Sequence, residues 1–237
     1  DGHTGIEHNI PVHDIYSDVV NLWSNSKTGY TPTLIVSYGS MNGEYYYYDK
    51  ENVWENKRLM NFTPRAIVDS RSRHREKIPD EEYQTGHIRV SETCKQLADA
   101  GVRVNLGAHG QIQGLGAHWE LKMLAAGGMS PMQAIRCATV NGAYYIGMED
   151  EIGSLEKGKL ADFIILDKNP LEDINNIGSI STTVANGRAY DAMTMNEIGL
   201  SAKARMPFYF ELLHGNDDFI WHDETHGFHN HSCGCRK

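Results

Sequence analysis

The first third of the chain combines short apolar runs with one helical face. Residues 5–8, Gly-Ile-Glu-His, change from apolar to polar and predict the end of a short strand. Asp14 is a suitable N-cap for a helix whose apolar residues recur at i, i+4, i+7 and i+8. These residues are Ile15, Val19, Leu22 and Trp23. A second strand is predicted over 33–36 after Pro32, so this part is strand, helix, strand, with a helix long enough for a parallel crossover.

Between residues 40 and 82 the hydrophobic pattern has no sustained period. The segment carries four consecutive tyrosines at 45–48 and Trp54, and a group of basic residues follows. The basic residues are Arg65, Arg71, Arg73, His74 and Arg75. Long segments of this kind are usually active-site lids or binding loops, which predicts a lid over 40–82. A solvated insertion whose tyrosines pack locally, and disorder, are the alternatives.

Regular patterning returns with a helical face that ends at Gly101, a suitable C-cap. Its apolar residues are Val90, Cys94, Leu97 and Ala98. A β-rich run over 102–106 follows, then a glycine-dotted loop over 107–116, and a helix that begins near Ala117. This unit places polar groups at the end of a strand, where parallel α/β proteins carry their chemistry.

Two local motifs define boundaries further along the chain. Residues 130–133 read Ser-Pro-Met-Gln, a capping box with proline at the first helical position, and predict a helix that runs to about Gly147. An apolar run predicts a buried strand over 161–166. Asn186-Gly187 lies between two further strand patterns, over 180–191, and predicts a two-residue hairpin. A small β unit outside a parallel series indicates a second layer or subdomain.

Composition and charge narrow the range of partners. The chain has 237 residues, 40% of them hydrophobic, which is enough for a large core. Its formal net charge is −9 and no long basic block appears, so we expect no nucleic-acid partner. No apolar run approaches the roughly 18 residues of a membrane span, so no span is expected.

The start of the chain and its cysteines leave the compartment open. The sequence begins without methionine, in what looks like the tail of a strand, so we expect the true N-terminus to be missing. Cys94 and Cys137 lie in apolar helical patterns and are predicted to be buried free thiols. Four cysteines so arranged give no disulfide framework. A cytoplasmic and a periplasmic location both stay open.

Histidines at strand ends are the candidate chemistry. His8 and His109 each end a predicted strand, and His118 opens the next helix. Neutral imidazole is a good ligand for a zinc-like ion, although a hydrogen-bonded or surface histidine is the alternative for each. Glu120, on the first turn of the same helix, could orient His109 or His118. It could equally be a carboxylate favoured by the helix dipole.

Three stretches in the second half resemble the carboxyl-terminal segment of the amidohydrolase superfamily, in its imidazolonepropionase and prolidase-like branch. They are Asn141-Gly142-Ala143, IGSLEKGKLADFIILD at 152–167 and NPLEDI at 169–174. The resemblance is dense over 130–190. It implies an α/β fold, with the last strands of a metal-dependent (β/α)8 TIM barrel joined to a small β-sandwich that strands from both chain ends complete.

The resemblance also implies a division of the chain and a place for each strand. Barrel strands and helices would occupy 1–147, sandwich strands 148–195, and a carboxyl-terminal extension 196–237. The strand that ends at His8 is similar to the sixth of the barrel, residues 31–34 to the seventh, and the 102–106 run to the eighth.

At the eighth strand the superfamily normally carries an aspartate that ligates metal and acts as the general base. Here Gly107-Ala108-His109-Gly110 occupies that position. A His in a GAHGQ run resembles the amidohydrolase part of proteins fused to TolB-like propellers. The resemblance therefore implies His8 and His109 as catalytic residues and metal ligands, with Glu120 and His118 around them and a divalent ion, most simply zinc, as cofactor.

The superfamily's first-strand His-x-His pair, fourth-strand lysine or glutamate and fifth-strand histidine have no counterpart in these residues. We therefore expect the chain to be the carboxyl-terminal part of a longer hydrolase of C–N bonds, in amides, cyclic amides or peptide-like substrates, and inactive alone. An upstream domain of the same polypeptide is the expected partner, and a homo-oligomer stays open. The alternative is a non-catalytic barrel relative that binds a ligand or partner protein.

Two further groups of residues are candidates for binding. Tyr38, Arg73 and His74, in and next to the predicted lid, could contact a peptide or carboxylate-bearing substrate. The tail is rich in histidine and cysteine, a composition that can bind zinc. Its residues are His214, His222, His226, His229, His231, Cys233 and Cys235. A flexible tail is the alternative, and a metal-handling protein is a third function.

Overall fold

The chain folds as an α/β protein. The structure, a computed structural model, describes residues 2–10, 12, 14–36, 43–72, 77–109 and 112–213. The strands are β1 Gly5–Glu7, β2 Gly29–Thr31, β3 Phe163–Leu166, β4 Ile180–Ala185, β5 Arg188–Asp191 and β6 Glu197–Ile198. The helices are α1 Ser17–Asn25, α2 Gly43–Lys50, α3 Lys57–Phe62, α4 Arg65–Ser72, α5 Asp80–Glu82, α6 Ile88–Asp99, α7 Leu115–Ala126, α8 Pro131–Cys137, α9 Val140–Tyr145 and α10 Tyr209–Leu213. Short 3-10 turns lie at Leu34–Val36, Val53–Glu55 and Ile174–Gly178, and a π turn at Tyr83–His87 joins α5 to α6.

Three parallel segments form the first sheet region. β1 pairs with β2 in parallel, with Gly5 opposite Gly29. The 102–106 run joins β2 through a parallel bridge between Tyr30 and Val104. Tyr30 is fully buried and packs on Trp23 of α1, at a ring-centre distance of 4.8 Å. The strand ending before His8 is confirmed, and the 102–106 run contributes one bridge rather than a full strand.

The strand predicted over 33–36 is wrong. β2 ends at Thr31, Thr33 turns the chain with φ 51°, and Leu34–Val36 form a 3-10 turn. All three residues of the turn are buried. A short apolar run has the same pattern in a buried strand and in a buried turn, so periodicity could not separate the two.

The helix boundaries follow local signals in two of three places. Gly101 adopts φ 91° after α6, and Val102 N donates to Leu97 O at 3.0 Å, which confirms the C-cap. The capping box of α8 is also confirmed, since Ser130 and Gln133 bond each other's backbone N–H. α1 begins at Ser17 rather than next to Asp14, whose carboxylate instead accepts from Arg89.

The helix predicted to run from the capping box to Gly147 is two helices. α8 ends at Cys137 and α9 begins at Val140. Thr139 leaves the helical conformation at φ −130° and ψ −100°, while its hydroxyl donates to Ile135 O at 2.8 Å. A β-branched residue that bonds the preceding turn in this way favours such a break.

The described residues of the segment predicted as a lid, 43–72 and 77–82, are largely helical, and the first of these helices, α2, packs on α7. The segment contains α2, α3 and α4, which have only six to eight residues each. Tyr46 stacks on Tyr83 at 3.6 Å, and Tyr47 stacks on Trp119 at 5.1 Å. Glu51 accepts from Trp119 Nε1 and from Lys122 Nζ, both at 2.9 Å. Such short helices depend on tertiary contacts, so the sequence carries no long period for them. Whether the segment opens and closes stays a prediction.

A four-stranded antiparallel sheet follows in the order β3-β4-β5-β6. The hairpin between β4 and β5 is confirmed, and Asn186 and Gly187 both have positive φ, at 48° and 75°. β3 forms where predicted, but its apolar side chains are not buried. Phe163, Ile164 and Ile165 are 36%, 50% and 48% exposed. The prediction of a buried strand is therefore wrong for this edge of the sheet.

Within the described ranges, each helix is too short or too polar to cross a bilayer. Cys94 and Cys137 are buried free thiols, as predicted.

Glu44 at the start of α2 is a buried carboxyl group, only 4% exposed. Burial raises the pKa of Glu44 to about 7, and the nearby positive charge of Arg71 opposes part of that rise. Because the folded state holds the Glu44 proton more tightly than the unfolded chain does, stability falls as pH rises from about 4.5 through 7.

We expect Glu44→Gln to raise the free energy of unfolding by about 2–3 kcal/mol at pH 8 and to change it little at pH 4.5, because glutamine carries no charge to desolvate. Urea unfolding at the two pH values measures the difference. Glu81→Gln, on an exposed helical position of the same segment, is the matched control. An equal effect of Glu44→Gln at both pH values would show that the pKa of Glu44 is not raised by burial.

Candidate functional site

Strained backbone gathers at the carboxyl ends of the three parallel segments. Four residues there other than glycine have positive φ: His8 at 67°, Thr33 at 51°, Ala108 at 55° and His109 at 49°. Such conformations cost on the order of 1–3 kcal/mol each and persist only where the surrounding structure enforces them. Because strain of this kind concentrates at functional sites, this edge of the sheet is the candidate site.

The two strand-end histidines predicted from the sequence come together. The ring centres of His8 and His109 lie 5.6 Å apart, with an angle of 63° between the ring planes. His8 is half-buried and His109 is exposed. Two imidazoles that bind one zinc ion, each through a nitrogen at about 2.0–2.1 Å, place their ring centres roughly 5 Å apart. The pair therefore fits two ligands of a shared divalent ion.

The pair does not complete a metal centre by itself. Among the residues that the structure describes, no group of three or more His, Cys, Asp or Glu side chains could hold an ion. A catalytic zinc site uses about three protein ligands and an open position. His8 and His109 alone therefore fall short of such a ligand set.

Glu120 on α7 lies beneath this site and is fully buried. Its carboxylate accepts from the backbone N–H groups of Gly107, at 3.0 Å, and Ala108, at 2.8 Å. Burial raises the pKa of Glu120, while hydrogen bonds from the backbone of Ala108 and Gly107, and of Leu34 and Ile35, lower it. The sequence suggested that Glu120 orients an imidazole, but the hydrogen bonds described for it go to backbone amides.

Gly107 brings the two strand ends into direct contact. A Cβ added at Gly107 would lie 2.4 Å from Thr33 Oγ1 and 2.6 Å from Thr33 Cα. Only glycine fits where two backbones approach so closely. Thr33 was not a candidate from the sequence, since neither its left-handed φ nor this contact has a local signal.

His118 faces a different part of the molecule. It lines a cleft of about 200 Å³ with Arg58, Phe62 and Gln113, between α3, α7 and the start of β4. Burial, and then the positive charge of Arg58, lowers the pKa of His118. The structure therefore separates His118 from the pair of His8 and His109.

The predicted substrate contacts Tyr38, Arg73 and His74 lie outside the described residues, as does the His/Cys-rich tail over 214–237. These predictions stay open.

The sequence did not identify two polar contacts near the site, one made by Asn105 and one between Tyr145 and Glu7. Asn105 is buried, its backbone N–H donates to Tyr30 O at 2.7 Å, and its side chain donates to Thr31 Oγ1 at 3.4 Å. The Tyr145 hydroxyl of α9 bonds the Glu7 carboxylate, one residue before His8. Asn105 could have been noticed as a polar residue inside an apolar strand, whereas the contact of Tyr145 with Glu7 joins residues 138 positions apart.

Comparison with known proteins identifies the family of the chain. Residues 6–190 match a family described as the amidohydrolase family. A crystal structure of a Xaa-Pro dipeptidase with bound methionine in its active site superposes with a TM-score of 0.52 and 26% sequence identity, covering 79% of this chain and 39% of that chain.

Curated relatives match shorter stretches. A 5-methylthioadenosine/S-adenosylhomocysteine deaminase from Teredinibacter turnerae is 38% identical over 87 residues, 32% of this chain and 20% of that protein. An imidazolonepropionase from Symbiobacterium thermophilum is 59% identical over 39 residues, 16% of this chain and 9% of that protein. The matched regions thus span a fifth or less of these curated relatives.

Proposed function

Because this chain belongs to the amidohydrolase family, we propose that the whole protein is a metal-dependent hydrolase of C–N bonds in amides, cyclic amides or peptide-like substrates. The observation that carries the proposal is the pairing of His8 with His109, 5.6 Å apart, at strained carboxyl ends of parallel segments. Ligands and catalytic groups of α/β proteins lie at this edge.

His8 and His109 would supply some of the ligands of a divalent ion, and zinc is the proposed metal. A bound zinc ion supplies a Lewis acid that activates water and polarises the carbonyl of the scissile bond. The protein's own part is to orient the substrate and move one proton. His109 has one of two roles in this proposal: it binds the ion through one ring nitrogen, or it leaves the ion to other ligands and its ring takes up that proton as the general base.

The remaining metal ligands are proposed to come from other parts of the whole protein, in a complete (β/α)8 barrel. The exposed apolar side chains of β3 support the companion proposal that further strands cover the antiparallel sheet as a β-sandwich. Without those additions we propose that the 237 residues alone are inactive.

We propose two substrate classes for the whole protein from the names of its relatives. The Xaa-Pro dipeptidase favours a peptide-like substrate, and the deaminase a heterocyclic amine. Both reactions are hydrolyses at carbon bonded to nitrogen and need the same activation of water.

The test is hydrolysis by the whole protein of dipeptides ending in proline, cyclic amides and aminopurine nucleosides. We expect turnover of at least one class that a zinc chelator abolishes and added zinc restores. Turnover that is unchanged in metal-free protein would contradict the proposal.

A second candidate is a non-catalytic binding module. It is favoured by one observation, the presence of His109 at a position where a carboxylate is expected, since imidazole cannot supply a negative charge. A folded, metal-free whole protein that binds one of these compounds without turnover would support the module.

A further inference from the structure

We propose that Glu120 is a positioning residue, whose carboxylate ties the end of β2 to the end of the 102–106 run and so holds His109 against His8. The inference rests on the proposed function, in which these two histidines form the working pair. Glu120 itself does not touch the substrate or the ion.

The hydrogen bonds of Glu120 favour this role. Both oxygens of the Glu120 carboxyl group accept a hydrogen bond from a backbone N–H, and each oxygen has two lone-pair positions. The N–H groups of Gly107 and Ala108 donate to its two oxygens, at 3.0 and 2.8 Å, and the backbone of Leu34 and Ile35 lies near enough to lower its pKa. One fully buried side chain therefore bonds the start of the 107–109 turn and lies close to a second segment about 70 residues away in the chain.

The turn that carries His109 needs such an anchor. His109 N donates to Gly107 O at 2.7 Å, which closes a three-residue turn around Ala108, whose φ is 55°. Turns of this hand are rare and strained in L residues. Glu120 bonds the first two amides of the turn, and the helix behind it is fixed by the fully buried Trp119 and Leu124.

We call the hydrogen bonds that Glu120 accepts from the backbone of Gly107 and Ala108 the clamp. The close approach of Gly107 to Thr33 extends the effect of the clamp to the second strand end. Since the two backbones are in contact, loss of the carboxylate would release both strand ends together. The ring of His109 would then leave its place beside His8, whose own position depends on β1.

The test compares Glu120→Gln with Leu124→Ala in metal-free protein. Glutamine keeps the shape but turns one acceptor into a donor that faces backbone N–H groups. Leu124, one turn further along α7, is also fully buried, and its replacement destabilises the fold while the Glu120 hydrogen bonds to the 107–109 turn are kept. Glu120→Asp, a milder change that keeps the charge, carries the test if Glu120→Gln does not fold.

The readout is the nuclear Overhauser effect between the ring protons of His8 and His109, with histidine selectively labelled, together with amide exchange at Gly107 and Ala108. In Glu120→Gln we expect the ring contact to be lost and exchange at these two amides to rise at least about tenfold above the change at other amides. In Leu124→Ala the ring contact should persist. An intact contact in Glu120→Gln, or its equal loss in both variants, would overturn the proposal.

This outcome is separable from the fate of the proposed function. The ring contact and the exchange rates are measured without metal or substrate, so they report on the clamp alone. If His8→Ala and His109→Ala leave zinc binding unchanged, the proposed metal site fails while the clamp is still decided by the ring contact.

Discussion

His109→Ala is expected to lower the hydrolytic turnover of the whole protein by about 100-fold or more. His109 stands at the end of a parallel segment, beside His8, in a left-handed conformation that the fold maintains at a cost. Whether His109 binds the ion or moves a proton, it does so through a ring nitrogen, and alanine has no side-chain nitrogen. Steady-state kinetics with the substrate found in the hydrolysis screen measures the loss.

The matched control for this variant is His3→Ala. His3 is an exposed histidine just before β1, at the opposite end of the same strand from His8. Turnover should stay within about threefold of the unchanged protein, since surface substitutions away from special features have small effects. Near-normal turnover in His109→Ala would remove His109 from the mechanism.

Gly107→Ala is expected to destabilise the protein by about 3 kcal/mol or more and to abolish activity with it. The new methyl group would lie 2.4–2.6 Å from Thr33, and one of the atoms it meets is Thr33 Cα, which cannot move without its backbone. The strand ends would have to separate, and the Glu120 hydrogen bonds to Gly107 and Ala108 would be broken with them.

Gly142→Ala is the control for that substitution. A Cβ at Gly142 in α9 would meet its nearest atom, Cys137 O, at 3.7 Å, an ordinary contact. Alanine should therefore be neutral or stabilise the helix by up to about 1 kcal/mol. Urea unfolding measures the free energy of unfolding of Gly107→Ala and Gly142→Ala. Equal values for the two variants would refute the close approach of Gly107 to Thr33.

Local signals explain where the sequence predicted the fold correctly. The Asn186-Gly187 hairpin, the Ser130 capping box and the Gly101 C-cap each need only a few neighbouring residues with particular φ values or side-chain acceptors. The 33–36 strand failed for the opposite reason, because only the tertiary position of Thr33 makes the chain turn there.

The site shows the same division. Their places at predicted strand ends made His8 and His109 candidates, the resemblance to the amidohydrolases strengthened that interpretation, and the structure places the two ring centres 5.6 Å apart. The hydrogen-bond partners of Glu120 could not be predicted from the sequence, because a glutamate near the start of a helix has the same sequence pattern whether its carboxylate is buried or exposed. The contact between Gly107 and Thr33 depends on how two distant strand ends approach each other.

The central claim is that His8 and His109 bind a catalytic divalent ion, and metal content tests it most directly. Zinc should be measured by mass spectrometry in the whole protein, in His8→Ala and in His109→Ala, each purified without added metal. We predict close to stoichiometric zinc in the unchanged protein and at least about tenfold weaker zinc binding in either variant. Zinc retained at the same level in both variants, or active protein that contains no metal, would contradict the account.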